Sequence, residues 1–342
     1  MIRGGASSRS ITRYVDLRIY FCYYFGMVQN ETYFESHDSA RLFLYRWLPE
    51  IQPKAVLHIV HGMAEHALRY KRLAEKLTAA GIEVRAADQR GHGKTADLSL
   101  NNPGRGGILG HCGDGYSFAS VTKDIYALNK EIKKTVNVPV FLLGHSWGSF
   151  IVQNYIEEYS DDLNIDGCIL SGTKGPGDFM VKAGLPFLTV LAALRGQRKG
   201  SRLARAMGDG QYINPFKPNR TQFDWISRDE EEVDKYVSDP LCGFLCSSGF
   251  YRDLTRILNN IHRPEKIIKI KTVLPVYIFS GSSDPVGAMG AGATALVNEY
   301  RKTGISDIEF VLYPGARHET LNETNREEVM DNLLSWINKH CE

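Results

Sequence analysis

The stretch VPVFLLGHSWGS, residues 138–149, decides how the chain is read. Its first six residues are a short, nearly continuous apolar run, the pattern of a strand buried on both faces of a parallel sheet. Gly144-His145-Ser146-Trp147-Gly148 follows at once, and Ser149–Tyr159 then has the texture of a helix. G-x-S-x-G alone is a weak signal, because a Gly-rich turn with a hydrogen-bonded serine reads the same way. Its place between a strand and a helix sharpens it. A turn this tight strains the serine backbone, and the flanking glycines remove side chains that would clash. The hydroxyl is then presented at the carboxyl end of the strand, beside a helix N-terminus that favours negative charge.

The same rhythm extends to both sides. Thr32–Ser36 and Arg41–Trp47 alternate around His37-Asp38-Ser39-Ala40 and predict a β-hairpin. Buried-type strands are predicted at Ala55–Val60, Ile82–Ala87 and Gly167–Leu170, with helices at Arg69–Ala80 and Val121–Val136 between them. Strands alternating with helices imply a parallel sheet with right-handed crossovers. The alternation stops near Gly172 and resumes at Pro275–Ser280, followed by a helix at Ala293–Arg301 and a strand at Ile308–Tyr313. A closing helix is expected over Glu323–Lys339, with Thr324 and Glu327 at capping-box spacing. The expected organisation is therefore an α/β core over 27–172 and 273–342, a helical cap inserted at 173–272, and a dispensable extension at 1–26.

Composition narrows the function classes. Of 342 residues, 43% are hydrophobic and 23% charged, which is ordinary globular usage and excludes disordered, collagen-like and coiled-coil chains. The net charge of +2 offers no global field for nucleic acid. Six cysteines form no CxxC pair and no disulfide-dense spacing, so reduced thiols in a cytoplasmic protein are expected. Arg3, Arg9, Arg13 and the apolar Ile19–Val28 loosely mimic a signal peptide, but Asp16 and Arg18 interrupt it and no small-residue cleavage site follows.

A serine at its own pKa is a poor nucleophile and needs a base and an orienting acid. In a sheet of this class the acid and base follow the serine in chain order, in loops after later strands. Two positions fit: Asp284, just past the PVYIFS strand, and His318, just past the IEFVLY strand. Parallel strands end together, so both belong on the edge that carries Ser146. The oxyanion of a tetrahedral intermediate needs N–H donors, expected from Trp147 and from Met63 in the loop His61-Gly62-Met63-Ala64-Glu65-His66. The spacing of His61, Glu65 and His66 is not HExxH, and a loop-shaping role is expected rather than a metal site. Gly104-Arg105-Gly106-Gly107 does not open a helix after a strand and reads as a loop near the site; no dinucleotide or Walker fingerprint is present, and no cofactor or metal is expected.

Gly144–Gly148, the HGMAEH loop, Asp88-Gln89-Arg90-Gly91-His92-Gly93 and the Asp284/His318 pair together resemble the α/β-hydrolase superfamily. More narrowly they are similar to its monoacylglycerol lipase and lysophospholipase branch, grouped with serine aminopeptidase-type hydrolases. The resemblance covers about residues 30–340. It implies Ser146 as nucleophile, Asp284 as acid, His318 as base, and the Met63 and Trp147 N–H groups as oxyanion donors. Trp147 departs from the small or Met side chains common in that branch, and is expected to narrow the pocket beside the nucleophile.

An insertion after the fourth of these strands lies over the carboxyl edge of the sheet. Ala183–Leu194 has no charge across twelve residues, which suits a cap helix facing an acyl pocket or an interface, with Leu185, Phe187 and Leu188 as candidate substrate contacts. A basic run (Arg195, Arg198, Lys199, Arg202, Arg205) and an acidic run (Asp229–Glu232, Asp234) follow, expected to be solvated and partly paired with each other. Contact with a membrane surface through the cap is the alternative for the basic run. The expected activity is hydrolysis of single-chain lipid esters through an acyl-enzyme, with small lipid or ester substrates and no nucleic-acid partner. Short-chain carboxylesters, aminopeptidase-type cleavage, and a non-catalytic binding protein on the same scaffold are the alternatives; oligomeric state is not legible.

Overall fold

The computed structural model describes residues 22–24, 27–99, 107–176 and 179–341. The extension 1–21 with 25–26, and residues 104–106 of the Gly-rich loop, lie outside the described residues. The strands are β1 (Cys22–Tyr24), β2 (Met27–Glu35), β3 (Arg41–Pro49), β4 (Ala55–Val60), β5 (Ile82–Ala87), β6 (Val140–His145), β7 (Gly167–Ser171), β8 (Val276–Gly281) and β9 (Ile308–Tyr313). They form one sheet in the order β1-β2-β3-β5-β4-β6-β7-β8-β9. From β5 to β9 all pairings are parallel, while β1, β2 and β3 add antiparallel at one edge. The hairpin runs longer than its alternation predicts, in register from Glu35↔Arg41 to Met27↔Pro49. Cys22–Tyr24, upstream of the boundary expected at 26, pairs with Met27–Gln29.

The helices are α1 (Lys71–Ala79), α2 (Gly93–Ser99), α3 (Ser117–Thr135), α4 (Trp147–Glu158), α5 (Phe179–Arg195), α6 (Arg202–Met207), α7 (Glu230–Ser238), α8 (Ser248–Asn260), α9 (Pro264–Ile267), α10 (Ala291–Lys302) and α11 (Arg326–Lys339). The period-2 geometry of a strand explains the uninterrupted apolar runs. Val56, Val60, Val140, Leu142, Leu170 and Ile278 face one layer with α3, α4 and α10. Leu57, Ile59, Phe141, Leu143, Ile169 and Phe279 face the other with α1 and α11. Burial on both sides removes the polar half of the alternation.

Helix α11 starts later than expected. Its N-cap is Asn325, without a side-chain cap bond, so the Thr324/Glu327 capping box does not form. Glu323 is fully buried instead, accepting the Arg317 and Arg228 N–H groups and pairing with the Arg228 guanidinium. The tertiary partners outcompete the local cap.

One buried carboxyl stands apart. Glu157, on α4, is 1% exposed, and neither of its carboxyl oxygens has a hydrogen-bond partner among the described residues. Burial pushes its carboxyl well above the ordinary value. The folded state therefore holds a proton that the unfolded chain releases, so stability falls as pH rises from the unfolded value toward the folded one, by about 1.4 kcal/mol per unit. Glu157→Gln removes the ionisation, and its thermal stabilisation is expected to be larger at about pH 8 than at about pH 5. Equal shifts in the melting midpoint at both values would contradict a buried, protonated Glu157.

Candidate active site

Ser146 sits in the turn from β6 to α4 with φ 53° and ψ −121°, a region that side chains other than glycine rarely adopt. The turn is over-determined by its neighbours. The Ser146 N–H donates to the Ser171 carbonyl at 2.9 Å, and its own carbonyl accepts from the Ser149 N–H at 2.9 Å. A Cβ at Gly148 would lie 2.2 Å from the Val60 carbonyl oxygen, so only glycine lets α4 approach β4 this closely. The strain is held by packing on both sides of the serine, which itself stays partly exposed.

Asp284 and His318, expected from strand ends alone, meet. His318 Nδ1 lies 2.9 Å from Asp284 Oδ1, with both side chains buried. Asp284 also accepts the Val286 N–H at 2.9 Å and the Ser280 hydroxyl at 3.1 Å. Burial opposes its charge, yet the His318 imidazolium and these hydrogen bonds hold its carboxyl below the ordinary value. Burial likewise opposes a charged His318, but the Asp284 carboxylate holds the imidazole above its ordinary value. His145 places Ser146 near this pair, its ring centroid lying 4.9 Å from that of His318. The Ser146 hydroxyl makes no hydrogen bond to His318 in this structure; such bonds are commonly long before substrate binds and tighten in the reacting complex.

The loop after β4 lies against the serine turn, for a Cβ at Gly62 would fall 3.2 Å from the Ser146 Cβ. Trp147 opens α4, so its N–H has no upstream helical carbonyl to bond. His61 shapes the loop: its Nε2 accepts the Gln89 N–H at 2.9 Å, which leaves Nδ1–H to donate to the Gly62 carbonyl at 2.8 Å. Burial drives His61 down to about 3, so it stays neutral and keeps that tautomer. His66 Nε2 bonds Asp239 at 2.9 Å, with Cys242 close by. The other group of metal-capable side chains among the described residues is His37, Asp38 and Asp124, where both carboxylates are held by Arg90.

Other expectations are corrected. The Trp147 side chain does not narrow the pocket: it is 1% exposed and stacks on His92 at 5.0 Å, enclosed by Phe118 and Phe250. Its backbone N–H stays at the turn while its ring points into the core. Of the cap candidates, Leu188 is buried and Leu185 half-buried, but Phe187 is 44% exposed on the outer face of α5 and does not line an enclosed site. The basic and acidic runs do not pair with each other. Arg198 bonds Asp114 and Arg205 faces Asp209, while Asp229 holds Arg326, Glu232 holds Arg72, and Asp234 holds Arg220. A groove of about 480 Å³ between Phe34, His37, Tyr126 and Tyr159 includes none of the candidate residues.

The segment between β7 and β8 contributes a residue that sequence reasoning missed. Trp225 places its ring 5.2 Å from that of His318, and its carbonyl accepts the His318 N–H at 3.4 Å. Nothing in the local sequence around Trp225 signals a partner 93 residues downstream, as 318 − 225 gives.

A mostly parallel sheet with a strained serine turn and an acid–histidine pair at its carboxyl edge defines an α/β-hydrolase. The chain belongs to the serine aminopeptidase S33 family, whose profile matches residues 51–325. It is similar to a monoacylglycerol lipase of Mycolicibacterium smegmatis, 28% identical over 91% of this chain and 98% of that one. It is also similar to the monoglyceride lipase of Homo sapiens, 27% identical over 88% of this chain and 86% of that one. Among solved structures, a thermostable carboxyl esterase from Bacillus coagulans in complex with glycerol superposes with a TM-score of 0.82 at 29% identity, covering 93% of this chain and all of that one. No helix among the described residues is long and apolar enough to cross a membrane.

Proposed function

We propose that this chain is a carboxylic ester hydrolase of the monoacylglycerol lipase type, with Ser146 as nucleophile. The observation that carries the reading is the buried Asp284–His318 hydrogen bond on the sheet edge where Ser146 is held at positive φ. Ser146 attacks the ester carbonyl while His318 Nε2 takes its proton, and Asp284 fixes the imidazole through Nδ1–H. The N–H groups of Met63 and Trp147 hold the oxyanion. His318 then protonates the departing alcohol, and water repeats the sequence on the acyl-enzyme.

A single-chain lipid ester is the substrate class that fits best. Leu188 and the half-buried Leu185 give the cap helix an apolar inner side, and the inward-turned Trp147 leaves the nucleophile unobstructed by its indole. The outer side of α5, with Phe187, Val190 and Leu194 exposed next to Arg195, supports transient contact with an anionic lipid surface. Free Cys112, Cys168, Cys242, Cys246 and Cys341 suit a cytoplasmic, reducing setting. A panel of monoacylglycerols and p-nitrophenyl esters of rising chain length, run beside aminoacyl anilides, tests the substrate class. Rising kcat/KM with acyl length is expected. A preference for acetyl or butyryl esters would move the reading to a short-chain carboxylesterase, and faster anilide turnover would replace it with a peptidase.

A further inference from the structure

Three loops must agree in position for the reaction above, and one guanidinium touches two of them. Arg69, just before α1, donates from NH1 to Glu65 Oε2 at 2.7 Å and to Glu319 Oε1 at 2.7 Å, and from NH2 to Glu319 Oε2 at 2.6 Å. Its side chain is 12% exposed. Glu65 in turn accepts the Gly62 N–H at 2.5 Å and the Tyr70 hydroxyl at 3.0 Å through Oε1. Gly62 immediately precedes the Met63 N–H, and Glu319 immediately follows His318. The chain Gly62–Glu65–Arg69–Glu319 thus runs from the oxyanion loop to the base without a gap.

The insertion closes over the same residues. The Tyr236 ring lies under the Arg69 guanidinium at 4.8 Å, and its hydroxyl donates to the Ala64 carbonyl at 2.9 Å. The Gly243 N–H reaches that carbonyl at 2.9 Å, and the Glu319 N–H donates to Ile226 at 2.7 Å. A planar fork with parallel donors matches a carboxylate at two points while a further N–H reaches a second one; an ammonium on a flexible stem does not reproduce this.

We propose that Arg69 is a positioning residue that locks the oxyanion-donor loop to the loop carrying His318, so that nucleophile, base and donors keep one register. This rests on the serine-hydrolase reading above. The groups acting on His318 are Asp284 from the loop after β8, Glu65 from the loop after β4, His145 from the end of β6, and Glu319 beside it, and Arg69 pairs with both glutamates. Arg317 is turned away, onto the Asp224 and Ser227 carbonyls. With Arg69 gone, the Glu65 and Glu319 charges act on His318 uncompensated and favour its protonated form. With Glu319 neutralised, the balance tips the other way.

The test compares wild type, Arg69→Lys, Arg69→Gln and Glu319→Gln, each rate being divided by the fraction of sites that a fluorophosphonate labels at completion. Arg69→Lys is expected to keep KM within about twofold and to lose about 10²-fold in kcat per labelled site, the effect of misplacing a reacting group by about an ångström. The acid limb of kcat/KM is expected to move to higher pH in Arg69→Gln and to lower pH in Glu319→Gln. A merely structural arginine would lower the melting midpoint and the labelled fraction, and leave both the per-site kcat and the pH limb in place; that result overturns the proposal. Should Arg69→Gln not fold, Arg69→Lys and Glu319→Gln decide it by the same two readouts. A wild type that takes no label overturns the serine reading, whereas a labelled wild type with unaltered variants overturns the Arg69 proposal alone.

Discussion

Ser146→Ala is expected to lower kcat toward ester substrates about 10⁶-fold, the loss seen when a serine nucleophile acting with its base is removed. Ala has the same Cβ as Ser and meets the positive φ of the turn with no added strain, so the fold is retained and the loss is chemical. The turn is held through the Ser146 backbone, whose N–H donates to the Ser171 carbonyl and whose carbonyl accepts from the Ser149 N–H and hydroxyl, and the substitution touches none of these bonds. Substrate binding should survive, because the substitution leaves the Gly62–Met63 loop and the segment between β7 and β8 unchanged. Steady-state kinetics with circular dichroism as a folding control checks this. A folded variant with more than a trace of wild-type turnover would place the nucleophile elsewhere.

Asp284→Asn carries the second largest expected effect, about 10⁴-fold in kcat. The carboxylate accepts only, and so requires a proton on His318 Nδ1, which leaves Nε2 free to receive the serine proton. An amide in its place can donate to Nδ1 and stabilise the opposite tautomer, with Nε2 already protonated. A second signature follows from electrostatics. Asp284 holds the His318 pKa up, so losing its charge lets burial pull that pKa down. The acid limb of the residual kcat/KM profile is therefore expected to move to lower pH. A limb that moves upward, or a loss below tenfold, would mean that Asp284 does not orient the base.

The sequence and the structure agree where local pattern and burial point the same way. The strands Ala55–Val60, Ile82–Ala87 and Ile308–Tyr313 are observed with the limits their apolar runs predict. Ala55–Val60 lies between two helical layers with His58 as its one polar residue, whereas Ile82–Ala87 keeps Glu83 and Arg85 on one face, buried as an ion pair. The serine turn was legible for a related reason, since glycines around a serine between strand and helix satisfy a backbone demand that few other sequences meet. Asp284 and His318 were found by topology, because parallel strands bring their carboxyl ends to one edge.

What escaped the sequence depends on side-chain direction and distant partners. Trp147 is adjacent to Ser146 in sequence, but the helix turns its ring into the cluster of His92, Phe118 and Phe250. Thr324 and Glu327 have a capping box's spacing, yet Glu323 is taken by Arg228 and Arg317, and the helix starts at Arg326 with Asn325 at its N-cap. Between β7 and β8 the charged runs look complementary in sequence, while Arg198, Arg205, Asp229, Glu232 and Asp234 pair with residues outside the opposite run. Phe187 lies in an uncharged stretch, but only one side of α5 is covered, and it falls on the other. The Glu65–Arg69–Glu319 bridge joins positions 250 residues apart, as 319 − 69 gives, and no periodicity encodes that.

Labelling the wild-type protein with a fluorophosphonate and mapping the adduct by peptide mass spectrometry tests the central claim most directly. The claim is that one serine, activated by the Asp284–His318 pair, does the chemistry. The expected result is a single adduct on Ser146, abolished in Ser146→Ala and slowed in Asp284→Asn. An adduct on another residue, or a folded wild type that takes up none, would contradict it.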